Sequence, residues 1–355
     1  MPPPTLLDPG RFTGNFHGRP VGLYILEAAD GMRAAICSQG ARLLQLLVPD
    51  AHGGQQDVVL GYDSLPQMQQ GLASMGAVIG RYANRIGNSR FPWEGGSWLV
   101  PGNEGRHCLH GGPGSSRYQV FTVLRQAPDR IDLGWRFLQT DDGFPGDVDL
   151  TVSYHLNGQG TLSMKTSARP LNRSTPLSFT NHAFFNLDGT MDVGDHRVQS
   201  NALHFLEVDN EKIPTGRLLP VAGTPLDMRK EQAIRQTWSW SSTDQAVPAT
   251  PDHCLTFPQD QGPCLQKMMR VFGPESGIAM EIWSDAPAAQ WYIGGGPNAS
   301  MEEHWGKFGQ RYHRLSAFCI EPQAYPDAPN HPHFPNAMFR PGVAHQGLIE
   351  YRFTH

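Results

Sequence analysis

The stretch Asn181-His182-Ala183-Phe184-Phe185-Asn186-Leu187 sets an imidazole beside a large apolar surface. Such a histidine can serve as a general acid in a cleft, or it can be tied to a backbone carbonyl in the core; for His182 taken alone the second case is the commoner. Gly80-Arg81-Tyr82-Ala83-Asn84-Arg85-Ile86-Gly87 combines two guanidinium groups with an amide. That combination suits surface ion pairs and equally a site that holds hydroxyl groups. Cys319-Ile320-Glu321-Pro322-Gln323 closes an apolar strand with a carboxylate, either a solvated strand end or a base projected into a pocket. Motifs for other chemistries are missing: there is no Gly-x-x-x-x-Gly-Lys-Ser/Thr phosphate loop, no strand-linked Gly-x-Gly-x-x-Gly and no His-Glu-x-x-His. Fifteen histidines are present, yet pairs such as His331-Pro332-His333 lack a partner spacing that would favour a metal.

The elements that must position these groups read as strands. Leu150, Val152, Tyr154 and Leu156 alternate with polar residues and share one face, and Asn157-Gly158 leads into Gly160–Lys165. Asn-Gly between alternating segments predicts a hairpin with a type I′ turn. Asp30-Gly31 plays the same part between Leu23–Ala28 and Met32–Cys37. Further strands are expected at Leu43–Val48, Val58–Leu60, Val120–Leu124, Ile131–Phe137, Gly277–Trp283 and Leu315–Ile320. Helical signals are confined to Ser64–Gln70, after an Asp63 cap, and Asp227–Gln236; Thr237–Gly262 reads as an extended loop. The 355 residues include 39 glycines and 30 prolines, about one residue in five, which fits a turn-rich all-β sandwich or barrel better than an alternating βαβ chain.

Net charge is −5, so a generally cationic surface for nucleic acid or anionic lipid is not expected. The N-terminus lacks the basic start and apolar run of a secretion signal, and no run approaches the roughly 20 apolar residues that span a bilayer. Five scattered cysteines without a Cys-x-x-Cys pair read as free buried thiols in a reducing cytoplasm.

Taken in order, the motifs resemble those of the aldose 1-epimerase (galactose mutarotase) family along most of the chain. The matching stretches are Gly80–Ile86, Leu109-His110-Gly111-Gly112, Gly143-Phe144-Pro145-Gly146 and Thr180–Leu187. Ile213-Pro214-Thr215-Gly216, Gly223–Arg229, Asp252-His253 and Glu321–Pro332 follow. The resemblance implies one large antiparallel β-sandwich domain over residues 1–355, with a sugar-binding cleft on one sheet. It also implies a cofactor- and metal-independent interconversion of α and β anomers of free aldoses such as galactose and glucose. By position in the motifs, Glu321 matches the base, His182 the acid, and His110 a second histidine near the reacting end of the sugar. Asn84, Arg85, Asp252 and Gln290 match positions that hydrogen-bond sugar hydroxyls or the reacting oxygens, Gln290 on the shortest stretch, Ala289-Gln290-Trp291-Tyr292. The expected partner is a monosaccharide, with neither nucleic acid nor membrane, and the expected assembly a monomer or homodimer.

The residue types suit that chemistry. Mutarotation removes the proton of the anomeric hydroxyl and protonates the ring oxygen; the ring opens, C1–C2 rotates, and the ring recloses on the other carbonyl face. One carboxylate and one imidazolium suffice, and they exchange roles on closure. Reference values of about 4.3 for Glu and 6.5 for His leave a working window, which a nearby carboxylate would widen by raising the His value. Two other functions fit parts of the pattern. One is an epimerase of a sugar phosphate or an oligosaccharide end, gripped by Arg81, Arg85 or Arg117. The other is a carbohydrate-binding protein without activity.

Overall fold

The first hairpin follows from its alternation. Leu23–Glu27 pairs antiparallel with Arg33–Cys37, and the turn closes with the Ala28 N–H on the Met32 carbonyl and Gly31 at φ 87°. These features belong to a computed structural model that describes residues 4–71, 74–238, 250–257, 259, 262–294 and 304–355. Arg42–Pro49 and Gln55–Asp57 extend the hairpin to a four-stranded sheet. In the second hairpin, Val148–Leu156 with Thr161–Pro170, residues Leu150, Val152, Tyr154 and Leu156 are all buried. Its connection is wider than a two-residue turn. The Asn157 N–H bonds Thr161 O, the Asn157 side chain accepts from the N–H groups of Gln159 and Thr161, and positive φ falls on Gly158 and Gly160. The Asn side chain thus supplies acceptors that a tight turn would have supplied from backbone.

A nine-stranded sheet begins with four strands joined by successive connections: Thr122–Ala127, Arg130–Phe137, Val148–Leu156 and Thr161–Pro170. His345–Thr354 lies beside the last of these. The sheet then continues through Ala279–Ser284, Gln266–Phe272 and Arg197–Ser200 to the edge strand Gln232–Ala233. A five-stranded sheet runs in the order Pro214–Pro220, His204–Val208, Asp252–Thr256, Ala288–Ile293, Phe318–Gln323. One buried cluster draws Leu46 from the four-stranded sheet, Val152 and Ile282 from the nine-stranded sheet, and Leu255, Trp291 and Ile320 from the five-stranded sheet. The architecture is an all-β sandwich, and no helix among the described residues is long and apolar enough to cross a membrane.

Several sequence expectations shift. The helix Leu65–Gln70 is capped by Ser64, whose Oγ accepts from the Gln67 N–H; the Asp63 carboxylate accepts from the Phe308 N–H instead. Asp227–Gln236 is not a helix, because Gln232–Ala233 pairs with Arg197–Ser200 at the sheet edge and only a 3₁₀ turn, Ile234–Thr237, follows. Val58–Leu60 makes a single bridge, Val59 to Phe185, and the regular strand lies before it. The expected loop Thr237–Gly262 contains the central strand Asp252–Thr256; residues 239–249, 258, 260 and 261 of it lie outside the described residues. The strand expected at Leu315–Ile320 begins at Phe318 and runs to Gln323, so Glu321 stands inside a strand rather than at its end. Four cysteines are buried free thiols, but Cys264 is exposed.

Candidate active site

Register in the five-stranded sheet assembles most of the site. Gln290 lies opposite Cys254 on one side and Glu321 on the other, while Asp252 lies opposite Tyr292. Because side chains alternate along a strand, Leu255, Trp291 and Ile320 point into the core and Asp252, Gln290, Tyr292 and Glu321 share the other face. Gln290 bridges two of its neighbours: its amide donates to Asp252 Oδ1 at 2.6 Å, and its carbonyl accepts from Asn84 Nδ2 at 3.1 Å.

Asn84 and His110 flank a two-residue ladder, Arg85–Ile86 with Cys108–Leu109, and both adopt left-handed backbone, φ 64° and 57°. They bond each other reciprocally. The His110 N–H donates to Asn84 O at 2.9 Å, and the Asn84 N–H donates to His110 Nδ1 at 3.1 Å. A backbone N–H can only donate, so Nδ1 carries the lone pair and the neutral ring holds its proton on Nε2. The Arg85 guanidinium forms a bidentate pair with Glu104, at 2.6 and 2.8 Å.

His182 enters from the opposite wall. Its N–H donates to Ala77 O and its carbonyl accepts from the Gly76 N–H. The ring stacks on Phe184, 5.1 Å between centroids and 11° between planes, and meets His110 and Tyr292 edge-on at 5.4 and 6.0 Å. Nε2 lies 3.6 Å from Glu321 Oε1, beyond a good hydrogen bond. His182 Nδ1 and Glu321 Oε2 are both buried with no hydrogen-bond partner among the described residues. Two groups are therefore held close, buried and incompletely satisfied, an arrangement more often found where chemistry is done than where stability is sought.

The charges follow from this burial. Desolvation pushes the Glu321 carboxyl well above the usual carboxylate range; Asp252 adds to the rise and Arg85 opposes it. Desolvation, reinforced by Arg117, pushes His182 down to about 4. Asp252 does raise the His182 value, as expected of a nearby carboxylate, but burial outweighs it. His110 is also held well below the ordinary imidazole value, by burial first and then by His182, Arg117 and Arg85. Burial would raise Asp252, but Lys212, Arg85 and Gln290 bring it below its ordinary value.

Of the residues singled out in the sequence, Glu321, His182, His110, Asn84, Asp252 and Gln290 come together, with Arg85 at the edge beside Glu104. Arg81 does not join them. It is fully buried, paired with Asp142 at 2.6 and 2.8 Å and bonded to the Gly146 carbonyl. Sequence reasoning missed Phe184 and Tyr292. Each stands two residues beyond a singled-out residue, His182 and Gln290, and for Tyr292 the period of two along its strand placed it on the same face. Lys212, ion-paired to Asp252, carried no such signal. One polar atom each from His110, His182 and Glu321 lies within 4.8 Å of the others, close enough to suggest metal ligands. The Asn84 N–H on His110 Nδ1 argues otherwise, because it leaves the neutral ring no free lone pair.

An all-β sandwich with a buried carboxyl–imidazole pair on one sheet face is the class these features define. A sequence model of the aldose 1-epimerase family matches residues 22–352. The galactose mutarotase of Rattus norvegicus is 32% identical over 335 residues, 92% of each chain. The aldose 1-epimerase of Escherichia coli is 32% identical over 343 residues, 95% of this chain and 96% of that one. A solved aldose epimerase homologue from C. elegans matches with a TM-score of 0.86 at 32% identity, over 94% of this chain and 99% of that one. The chain belongs to the aldose 1-epimerase family, a family of isomerases.

Proposed function

We propose that this protein interconverts the α and β anomers of free aldoses, galactose and glucose among them, with Glu321 as the base and His182 as the acid. The observation that carries the reading is the pair itself: a carboxyl on the sheet face and an imidazole from the opposite wall, 3.6 Å apart, each with a buried polar atom that has no partner among the described residues, beside Asp252, Gln290 and Asn84. The sugar's anomeric hydroxyl and ring oxygen are the groups such unpartnered atoms would engage. Ring opening moves one proton on and one proton off, so the pair needs a single proton to work. An ionised Glu321 beside a protonated His182 holds the same number of protons as a protonated Glu321 beside a neutral His182. Burial favours the second arrangement in the free site, and transfer within the pair gives the first. His110, neutral with its proton on Nε2, would donate a hydrogen bond near the reacting end without competing for that proton. Asp252, Gln290, Asn84 and Arg85 would hold the hydroxyls. Residues 1–355 would act as one domain on a monosaccharide in the cytoplasm, and the core cluster shared by all three sheets supports the single domain.

Of the arginines named for the sugar-phosphate alternative, Arg81 is buried against Asp142, Arg85 is paired with Glu104, and Arg117 is buried and bonded to Ser74 Oγ. Simple sugar binding would not require a buried, unsatisfied carboxyl, which costs stability. The test is polarimetry or NMR of freshly dissolved α-glucose and α-galactose with and without the protein. Acceleration of both approaches to equilibrium is expected. A folded protein that accelerates neither would overturn the reading.

A further inference from the structure

Lys212 sits in the turn between His204–Val208 and Pro214–Pro220, at φ 63°. The turn is fixed several times over. Asp209 N–H bonds Ile213 O, Lys212 N–H bonds Asp209 O, and Asp209 Oδ1 accepts from the N–H groups of Glu211 and Ile213. Glu211 moors it to the neighbouring loop through an ion pair with Arg106 and a contact with His107 Nε2 at 3.3 Å. From this anchored position the Lys212 ammonium reaches Asp252 Oδ2, while Gln290 already occupies Asp252 Oδ1. Both carboxylate oxygens are thus in use before any sugar arrives. The pair stays reachable, with the Lys212 side chain about half exposed and that of Asp252 about one-fifth exposed.

We propose that Lys212 and Asp252 form a donor–acceptor pair that reads one hydroxyl of the aldose, making Lys212 a specificity-determining residue. This rests on the reading of Asp252 as a sugar contact. A hydroxyl can donate to Asp252 Oδ2 and accept from Lys212 Nζ at once, and the ammonium, with three donors, keeps its hold on the carboxylate meanwhile. A carbon without that hydroxyl offers neither interaction, so it leaves the pair to be desolvated with nothing gained. Lys212 also keeps Asp252 ionised against its burial, which preserves its acceptors.

The experiment compares the wild type, Lys212→Met and Lys212→Arg by NMR anomer exchange. The substrates are glucose and the four monodeoxy glucoses lacking O2, O3, O4 or O6. With Lys212→Met, KM for glucose should rise about tenfold and kcat should change by less than about threefold, the signature of lost ground-state binding. One monodeoxy glucose that is poor for the wild type should lose most of its handicap relative to glucose in Lys212→Met, where only the bond to Asp252 is left to read the hydroxyl, and Lys212→Arg should restore part of the discrimination. An unchanged KM in Lys212→Met, or an equal loss on all five sugars, would overturn the role. A wild type inactive on every sugar overturns the proposed function instead, and an active wild type beside an indifferent Lys212→Met removes Lys212 alone.

Discussion

Glu321 is the residue on which function and stability pull apart. Its carboxyl is buried, raised in pKa and has one oxygen without a partner among the described residues. Glu321→Gln keeps the shape and removes the base, so kcat should fall by about 10²–10⁴-fold with little change in KM. The same variant should be at least as stable as the wild type, because a buried acid without a counterion is a liability to the fold. A structural glutamate predicts the reverse on both counts, and a urea melt beside the exchange assay separates the two. The pH dependence follows from the same burial. Between about 4, where His182 gains a second proton for the pair, and the raised value at which Glu321 loses the last one, a single proton is held. The acid limb of kcat/KM therefore belongs to the histidine and the alkaline limb to the glutamate, the opposite of what their reference values give. The acid midpoint should lie near pH 4; a rate already halved at pH 6.5 on the way down would show that His182 is not held neutral.

At the scale of elements, the site depends on how closely two loops approach. Gly111 has φ 83°, and a Cβ there would collide with Gly80 O and lie 2.9 Å from Arg81 N. Gly111→Ala must push the His110 loop away from the Gly80–Arg81 backbone. It should lower stability by about 1–3 kcal/mol, the cost of a left-handed non-glycine residue in close contact, and depress activity through the displaced imidazole. Thermal melts and exchange rates at a temperature where the variant stays folded check both. The candidate site's motifs were legible only together: alone, His182 reads as a core histidine and Glu321 as a solvated strand end, and it is the order of the stretches along the chain that singles out His110, His182 and Glu321. The strand that delivers Asp252 was not legible, since Asp252-His253-Cys254-Leu255-Thr256 opens on two polar residues and follows a polar tract. Its strand character comes from lying between His204–Val208 and Ala288–Ile293. Nor could the motif separate Arg81 from Arg85. Asp142, 61 positions away, claims the first, and Glu104 claims the second. Lys212 belongs with these, placed by a turn whose bonds run through Asp209 rather than by any pattern around it.

Across the whole molecule, four thiols are sealed and one is open. Burial raises Cys37 to about 11, Cys108 and Cys254 to about 12, and Cys319 well above its ordinary value, whereas Cys264 is exposed. A thiol reagent at neutral pH should therefore modify one cysteine in the native protein and all five after unfolding, since the thiolate is the reactive form; mass spectrometry of the labelled chain counts them. Faster labelling of Cys254 or Cys319, which share strands with Asp252 and Glu321, would mean that the site opens readily to solvent. The nine-stranded sheet carries a different consequence. His345–Thr354 is inserted between Thr161–Pro170 and Ala279–Ser284, two strands that do not pair with each other. Each half of the sheet consequently presents a bare edge until a segment far along the chain arrives to pair with both. Pairing of this segment is expected to be a late closure over long loops, the slow and entropically costly kind, with two strand edges exposed until it occurs. A block that occupied either edge first would be expected to trap an open, association-prone chain in which Glu321 and His182 had not yet met.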